Sequence, residues 1–179
     1  MITARALPLL LALALLAAAP ALPARGVYQA PEDFLAEVFA GEVPPPGTIW
    51  LTGEVRRTAQ EILSHRPAAL RVRYWRRGRR TAWILEEIGK EKPITVGLVV
   101  DGGVLERVRV LVFRESRGYE VREPAFTRQF DGARLREGTR LDRPIDGITG
   151  ATLSVRALTR LARLALFLHA RVMERDDTP

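Results

Sequence analysis

The stretch that most constrains this chain is residues 93–113, PITVGLVVDGGVLERVRVLVF. Two runs rich in Val, Ile and Leu flank Asp101-Gly102-Gly103. An Asp-Gly pair between β-branched runs signals a hairpin, because its tight turn needs the positive φ that glycine reaches without steric cost. Residues 70–89, LRVRYWRRGRRTAWILEEIG, repeat the pattern with a glycine turn around Arg77 and Gly78. Two antiparallel hairpins follow from these patterns.

Helical signals bracket the hairpins. Residues 31–40 carry acids in a first turn and apolar residues at helical spacing, and the proline run at 44–46 stops them. TIWL at 48–51 reads as a short strand, and residues 52–65 read as a second helix with Val55, Ala59, Ile62 and Leu63 on one side. PAFTRQF from Pro124 predicts a helix of one or two turns ended by Asp131-Gly132, and residues 133–145 predict a charged surface loop. At 100° per residue, Leu158, Leu161, Ala165, Leu168 and Val172 share one side of a closing helix, with Arg156, Arg160, Arg163 and Arg171 opposite. The fold class is α+β: a mostly antiparallel sheet built from two hairpins, covered on one side, packed with N-terminal helices and a long C-terminal amphipathic helix.

With 179 residues the chain accommodates one ordinary domain with a real core. The absence of cysteine excludes disulfides, thiolate zinc sites, iron–sulfur clusters and thioether-linked haem. His65 and His169 are the only histidines. They are read as solvated or core-satisfied, with no metal site. Residues 1–24 have the layout of a secretory signal peptide: Arg5, a Leu/Ala run, then small residues before a cut after Ala24 or Ala21. The expectation is a single mature domain over 25–179 working in the periplasm, with an uncleaved anchor as the alternative.

Residues 146–154, DGITGATLS, stand at the entrance of the closing helix. Such small, hydroxyl-bearing and flexible residues are poor core material. At this place exposed backbone N–H groups, the positive end of a helix dipole and Arg156, four residues beyond Thr152, converge in a way that suits a phosphate.

Asp146, Thr149, Gly150, Ala151 and Thr152 spell Asp-x-x-Ser/Thr-Gly-Ala-Thr, which resembles the flavinylation motif of the FMN-binding domain family. That family includes the flavin-carrying subunits of sodium-pumping NADH:quinone reductases and of Rnf-type electron-transfer complexes. The resemblance extends over about residues 70–172, through the paired strands, the turn carrying Glu115 and Gly118, and the phenylalanine-bearing segment before the motif. Gly118 is followed by Tyr119-Glu120, where the respiratory subunits have Leu-Gly. The resemblance implies that a flavin transferase moves the FMN portion of FAD onto Thr152 as a phosphoester, with Asp146, Thr149, Gly150, Ala151 and Gly118 around it. Arg156 as a phosphate neighbour comes from spacing alone.

No general-base histidine, nucleophile pair or second cofactor site stands out near the motif. The expected role is therefore an electron carrier between a membrane reductase and a periplasmic acceptor, with an FMN-dependent reductase as an alternative. A second alternative uses charge. The chain is formally +7, and Arg71, Arg73, Arg76, Arg77, Arg79 and Arg80 interleave with Tyr74, Trp75 and Trp83, which suits an anionic membrane surface or an acidic protein. Nucleic acid is not an expected partner of an exported protein.

Overall fold

The computed structural model describes residues 26–136 and 138–176. The expected signal peptide lies outside the described residues. The elements run α1 (Pro31–Val38), β1 (Gly47–Trp50), α2 (Gly53–Leu63), β2 (Arg71–Arg77), β3 (Arg80–Ile88), β4 (Pro93–Asp101), β5 (Val104–Phe113), a 3-10 turn (Tyr119–Arg122), α3 (Pro124–Thr127), a second 3-10 turn (Arg128–Phe130) and α4 (Thr152–Asp176). The α+β class stands.

The five strands form one antiparallel meander in chain order. The two expected hairpins are fused through β3 and β4, whose register runs from Arg80↔Asp101 to Ile88↔Pro93, and β1 extends the sheet beside β2. The expectation of cover on one side is overturned. Side chains alternate across the pleat, and both faces at the sheet centre are packed. On one face Trp83, Leu85, Val96, Leu98 and Val100 join α2 and α4 in the larger core. On the other, Ala82, Val99, Leu111 and Val112 pack with Phe34, Leu35 and Phe39 around α1. The unbroken apolar run of β4, buried along its whole interior, is the pattern of a strand covered on both sides. Gly97 makes room for this second layer, since a Cβ there would stand 2.7 Å from the Phe34 ring.

The outer side of α4 also differs from expectation. Ala162, Leu164, Leu166 and Phe167 are buried along with the expected apolar stripe. Of the four arginines expected on that side, three are drawn into contacts. Arg160 lies 3.6 Å from the buried Glu87, Arg163 bonds the carbonyl and hydroxyl of Thr139, and Arg171 reaches Glu54 at 3.3 Å. The loop after Gly132 causes part of this, because Thr139 is buried and holds Glu61 of α2 as well. Only Arg156 of the four remains fully on the outside.

His169 is core-satisfied. Its Nε2 accepts the Gly103 N–H at 3.0 Å, so the neutral ring carries its proton on Nδ1 and donates to Thr81 Oγ1 at 2.8 Å. That hydroxyl also accepts Trp83 Nε1–H at 2.9 Å. Burial pushes the imidazole pKa down to about 4. His65, by contrast, is half exposed and donates to the Arg66 carbonyl and to Glu87, two contacts that raise its pKa.

Candidate functional site

The site is assembled by the segment that leaves β5. Glu115 comes first, and its Oε1 accepts the N–H groups of Lys90, Glu91 and Lys92 at 2.5, 2.7 and 2.9 Å. Burial opposes ionisation of this carboxyl, but the three N–H groups and the Lys90 ammonium outweigh it and hold its pKa below the usual range. The β3–β4 turn is thereby fastened to the strand end.

Gly118 follows at φ 81°, a left-handed conformation that L side chains rarely adopt. It is buried against the motif: a Cβ would stand 3.0 Å from Ser154 Oγ and 3.2 Å from Ala151 Cβ. The turn touches the motif with Tyr119-Glu120 in the place of Leu-Gly.

The motif is anchored at both ends. Asp146 donates its N–H to Gln129 Oε1 at 2.7 Å. Its carboxylate accepts no hydrogen bond among the described residues, and the Gln129 side chain holds this end of the motif. Ala151 N–H returns to the Ile148 carbonyl at 2.9 Å with Gly150 at φ 83° between them, the arrangement of a type II turn. The Ala151 carbonyl then accepts Val155 N–H at 3.0 Å and opens α4. Ala151 and Ser154 are buried as the feet of this corner, while Thr149, Gly150 and Thr152 are exposed.

Thr152 is thus the first residue of a helix that runs to Asp176. The N–H groups of its first turn have no intrahelical acceptor and sit at the positive end of the dipole. Arg156 is exposed one turn on, at the spacing where side chains of a helix become neighbours, and it forms no ion pair among the described residues. Nothing stands within 4 Å of where a Gly150 Cβ would be, so the approach to the hydroxyl is open. An exposed hydroxyl, unpartnered N–H groups and an unpaired guanidinium fit an esterified phosphate.

Residues 89–166 match the sequence model of the FMN-binding domain. Over that span the chain is similar to the FMN-binding domain family. No curated protein matches the chain. The matched span starts at Gly89, in the turn that Glu115 fastens, and ends within α4 at Leu166. It contains every predicted site residue: Gly118, Asp146, Thr149, Gly150, Ala151, Thr152 and Arg156. The first hairpin, read as part of the resemblance, lies outside the matched span except for the last turn.

Sequence reasoning missed Gln129 and the 3-10 turn at Tyr119–Arg122. A lone glutamine has no pattern, and the turn is too short for a period. The arginine-rich hairpin changes character. Arg77 reaches Glu42 and lies over Phe39, Arg79 and Arg80 face Asp101, and Arg80 pairs with Glu106 at 2.7 Å. Arg76 donates to the Gly78 carbonyl. Only Arg71 and Arg73 stand exposed with no ion pair among the described residues, on the strand beside the exposed Trp50. Among the described residues no cluster of acids or histidines could hold a metal, and no helix is long and apolar enough to cross a membrane.

Proposed function

We propose that the protein is an exported flavoprotein that carries FMN as a phosphoester on Thr152 and passes electrons between a membrane reductase and a periplasmic acceptor. The observation that carries this reading is the display of Thr152. Within an FMN-binding domain, its hydroxyl is exposed at the first position of α4, behind an open glycine turn whose neighbours Ala151 and Ser154 are buried. In loading, Thr152 Oγ1 forms the bond to phosphorus as the pyrophosphate bond of FAD breaks and AMP leaves. Its proton passes to a base supplied by the transferase. Thr149 and Gly150 form an exposed turn facing that enzyme, and Gly150 adds no side chain to it.

Once the ester exists, the helix N–H groups and Arg156 face its remaining negative charge. FMN supplies one- and two-electron chemistry, and the protein positions and tunes it. Among the described residues, no histidine stands in the motif and no acid–base pair is recorded between its side chains, which favours a carrier over an enzyme with its own substrate.

Intact-protein mass spectrometry on chain exported with a flavin transferase tests the reading. The expected result is a mass increase equal to esterified FMN, lost in Thr152→Ala and retained in Thr149→Ala. An unmodified wild-type chain, or a modified Thr152→Ala, overturns it.

A further inference from the structure

Three side chains outside the motif stand together at its border. The Arg122 guanidinium lies 4.4 Å from the centre of the Tyr28 ring and 5.7 Å from that of Tyr119. The tyrosines are 47% and 52% exposed, so the core does not use them. They arrive from distant parts of the chain. Tyr28 comes with the segment whose N–H bonds the Leu111 carbonyl at 2.9 Å, while Tyr119 opens the 3-10 turn directly after Gly118. A Cβ on Gly118 would be 3.5 Å from Ala151 Cα. With neighbouring Cα atoms about 3.8 Å apart, the Cα atoms of Tyr119 and Thr152 are separated by at most about 13 Å. A ribityl phosphate tether spans such a gap. Tyr28 and Arg122 also line one end of an open groove of about 780 Å³ along β5, which leaves room beside them for a ring system.

We propose that Tyr119, Arg122 and Tyr28 receive the isoalloxazine ring of the flavin held at Thr152, an inference that rests on the phosphoester reading above. Phenol rings offer flat faces for offset stacking, and a guanidinium already lying on one of them extends the platform. Arg122 has its own partner in Glu123 at 3.4 Å, but both groups are more than a third exposed and such a pair is weak. Its charge remains available to the ring. A cation beside the isoalloxazine stabilises the reduced, anionic flavin relative to the oxidised, neutral one and raises the midpoint potential. Tyr28, Arg122 and Tyr119 are positioning residues in this scheme and take no part in forming the ester.

The test compares the wild-type full chain with a Tyr28→Phe/Tyr119→Phe double variant, Arg122→Gln and Thr152→Ala. Intact mass reports the ester first, and fluorescence is then expressed per loaded flavin, so partial loading does not obscure the result. Tyrosine quenches flavin emission by donating an electron to the excited ring, and phenylalanine, which keeps the shape, does not. The loaded wild type is expected to emit less than the same sample unfolded, and the double variant to emit several times more than wild type when folded. Arg122→Gln is expected to shift the flavin toward the oxidised form threefold to tenfold at a fixed potential, up to about 30 mV for a two-electron couple. Loaded double variant with unchanged emission overturns the platform, and an unchanged potential in Arg122→Gln overturns the role of the guanidinium. Wild type without added mass overturns the ester at Thr152 itself, and the platform with it.

Discussion

Replacing Gly118 by alanine probes the contact that joins the turn after β5 to the motif. Two costs add. An L residue at φ 81° pays for a left-handed backbone, on the order of 1–2 kcal/mol. The new Cβ also stands 3.0 Å from Ser154 Oγ and 3.2 Å from Ala151 Cβ, so both neighbours must retreat by a few tenths of an ångström. Neither retreats freely, because Ser154 and Ala151 are buried at the first turn of α4. A loss of about 2–3 kcal/mol follows, which for a domain of this size lowers Tm by roughly 5–10 °C. Gly150→Ala is the matched control. It bears the same backbone cost at φ 83° with nothing within 4 Å of the new Cβ, so it is expected to cost only about 1–2 kcal/mol. Thermal unfolding followed by circular dichroism measures both, and flavin loading measured by mass reports whether the corner still presents Thr152. The packing contribution is refuted if Gly118→Ala melts no lower than Gly150→Ala, and the link to the motif is refuted if loading of Gly118→Ala matches wild type.

Other outcomes follow from the same geometry. His169 holds its proton only below about pH 4 in the folded protein, whereas the unfolded ring takes it up near the ordinary 6.5. The unfolded state therefore binds protons first as pH falls. The stabilisation is complete above about 6.5 and lost between there and about 4, by about 3 kcal/mol in all. Denaturant titrations across that window should show the slope in wild type and lose it in His169→Gln, which keeps a donor and an acceptor. Glu115→Ala removes the acceptor of three N–H groups and is expected to cost about 1–3 kcal/mol. Because its folded pKa is lowered, the difference from wild type should shrink as pH falls through that pKa. Arg156→Ala should leave the unfolding free energy within about 0.5 kcal/mol of wild type, as an exposed residue without an ion pair among the described residues, while slowing loading or lowering the potential of loaded flavin. Unchanged loading and potential would remove Arg156 from the phosphate site.

Much of the site was legible because its features are local. The placing of Thr152 at the entrance of a helix and the exposure of Arg156 depend on residues within a few positions of one another. Hairpins signalled by Asp101-Gly102 and Gly78 were readable for the same reason. What was misread involves partners far apart in sequence. Arg160, Arg163 and Arg171 project to one side of a helical wheel, and only Glu87, Thr139 and Glu54, delivered by a strand, a loop and another helix, turn that side into a contact surface. In the same way, Asp101, Glu106 and Glu42 pair with three of the six arginines of the basic hairpin.

The amino-acid sequence alone determined the periods of strands and helices, the lack of thiol chemistry and a motif whose threonine begins a helix. These are properties of a chain's nearest neighbours, where φ/ψ preference and side-chain spacing decide the outcome. Tertiary structure alone decided that the sheet is packed on both faces, because a glycine at 97 accepts the ring of Phe34. It also decided that Glu115 fastens a turn twenty-odd residues earlier, that Gly118 lies under the motif, and that Tyr28 and Tyr119 meet across Arg122. Such contacts need packing to close the long loops between them, and no short-range pattern encodes that closure.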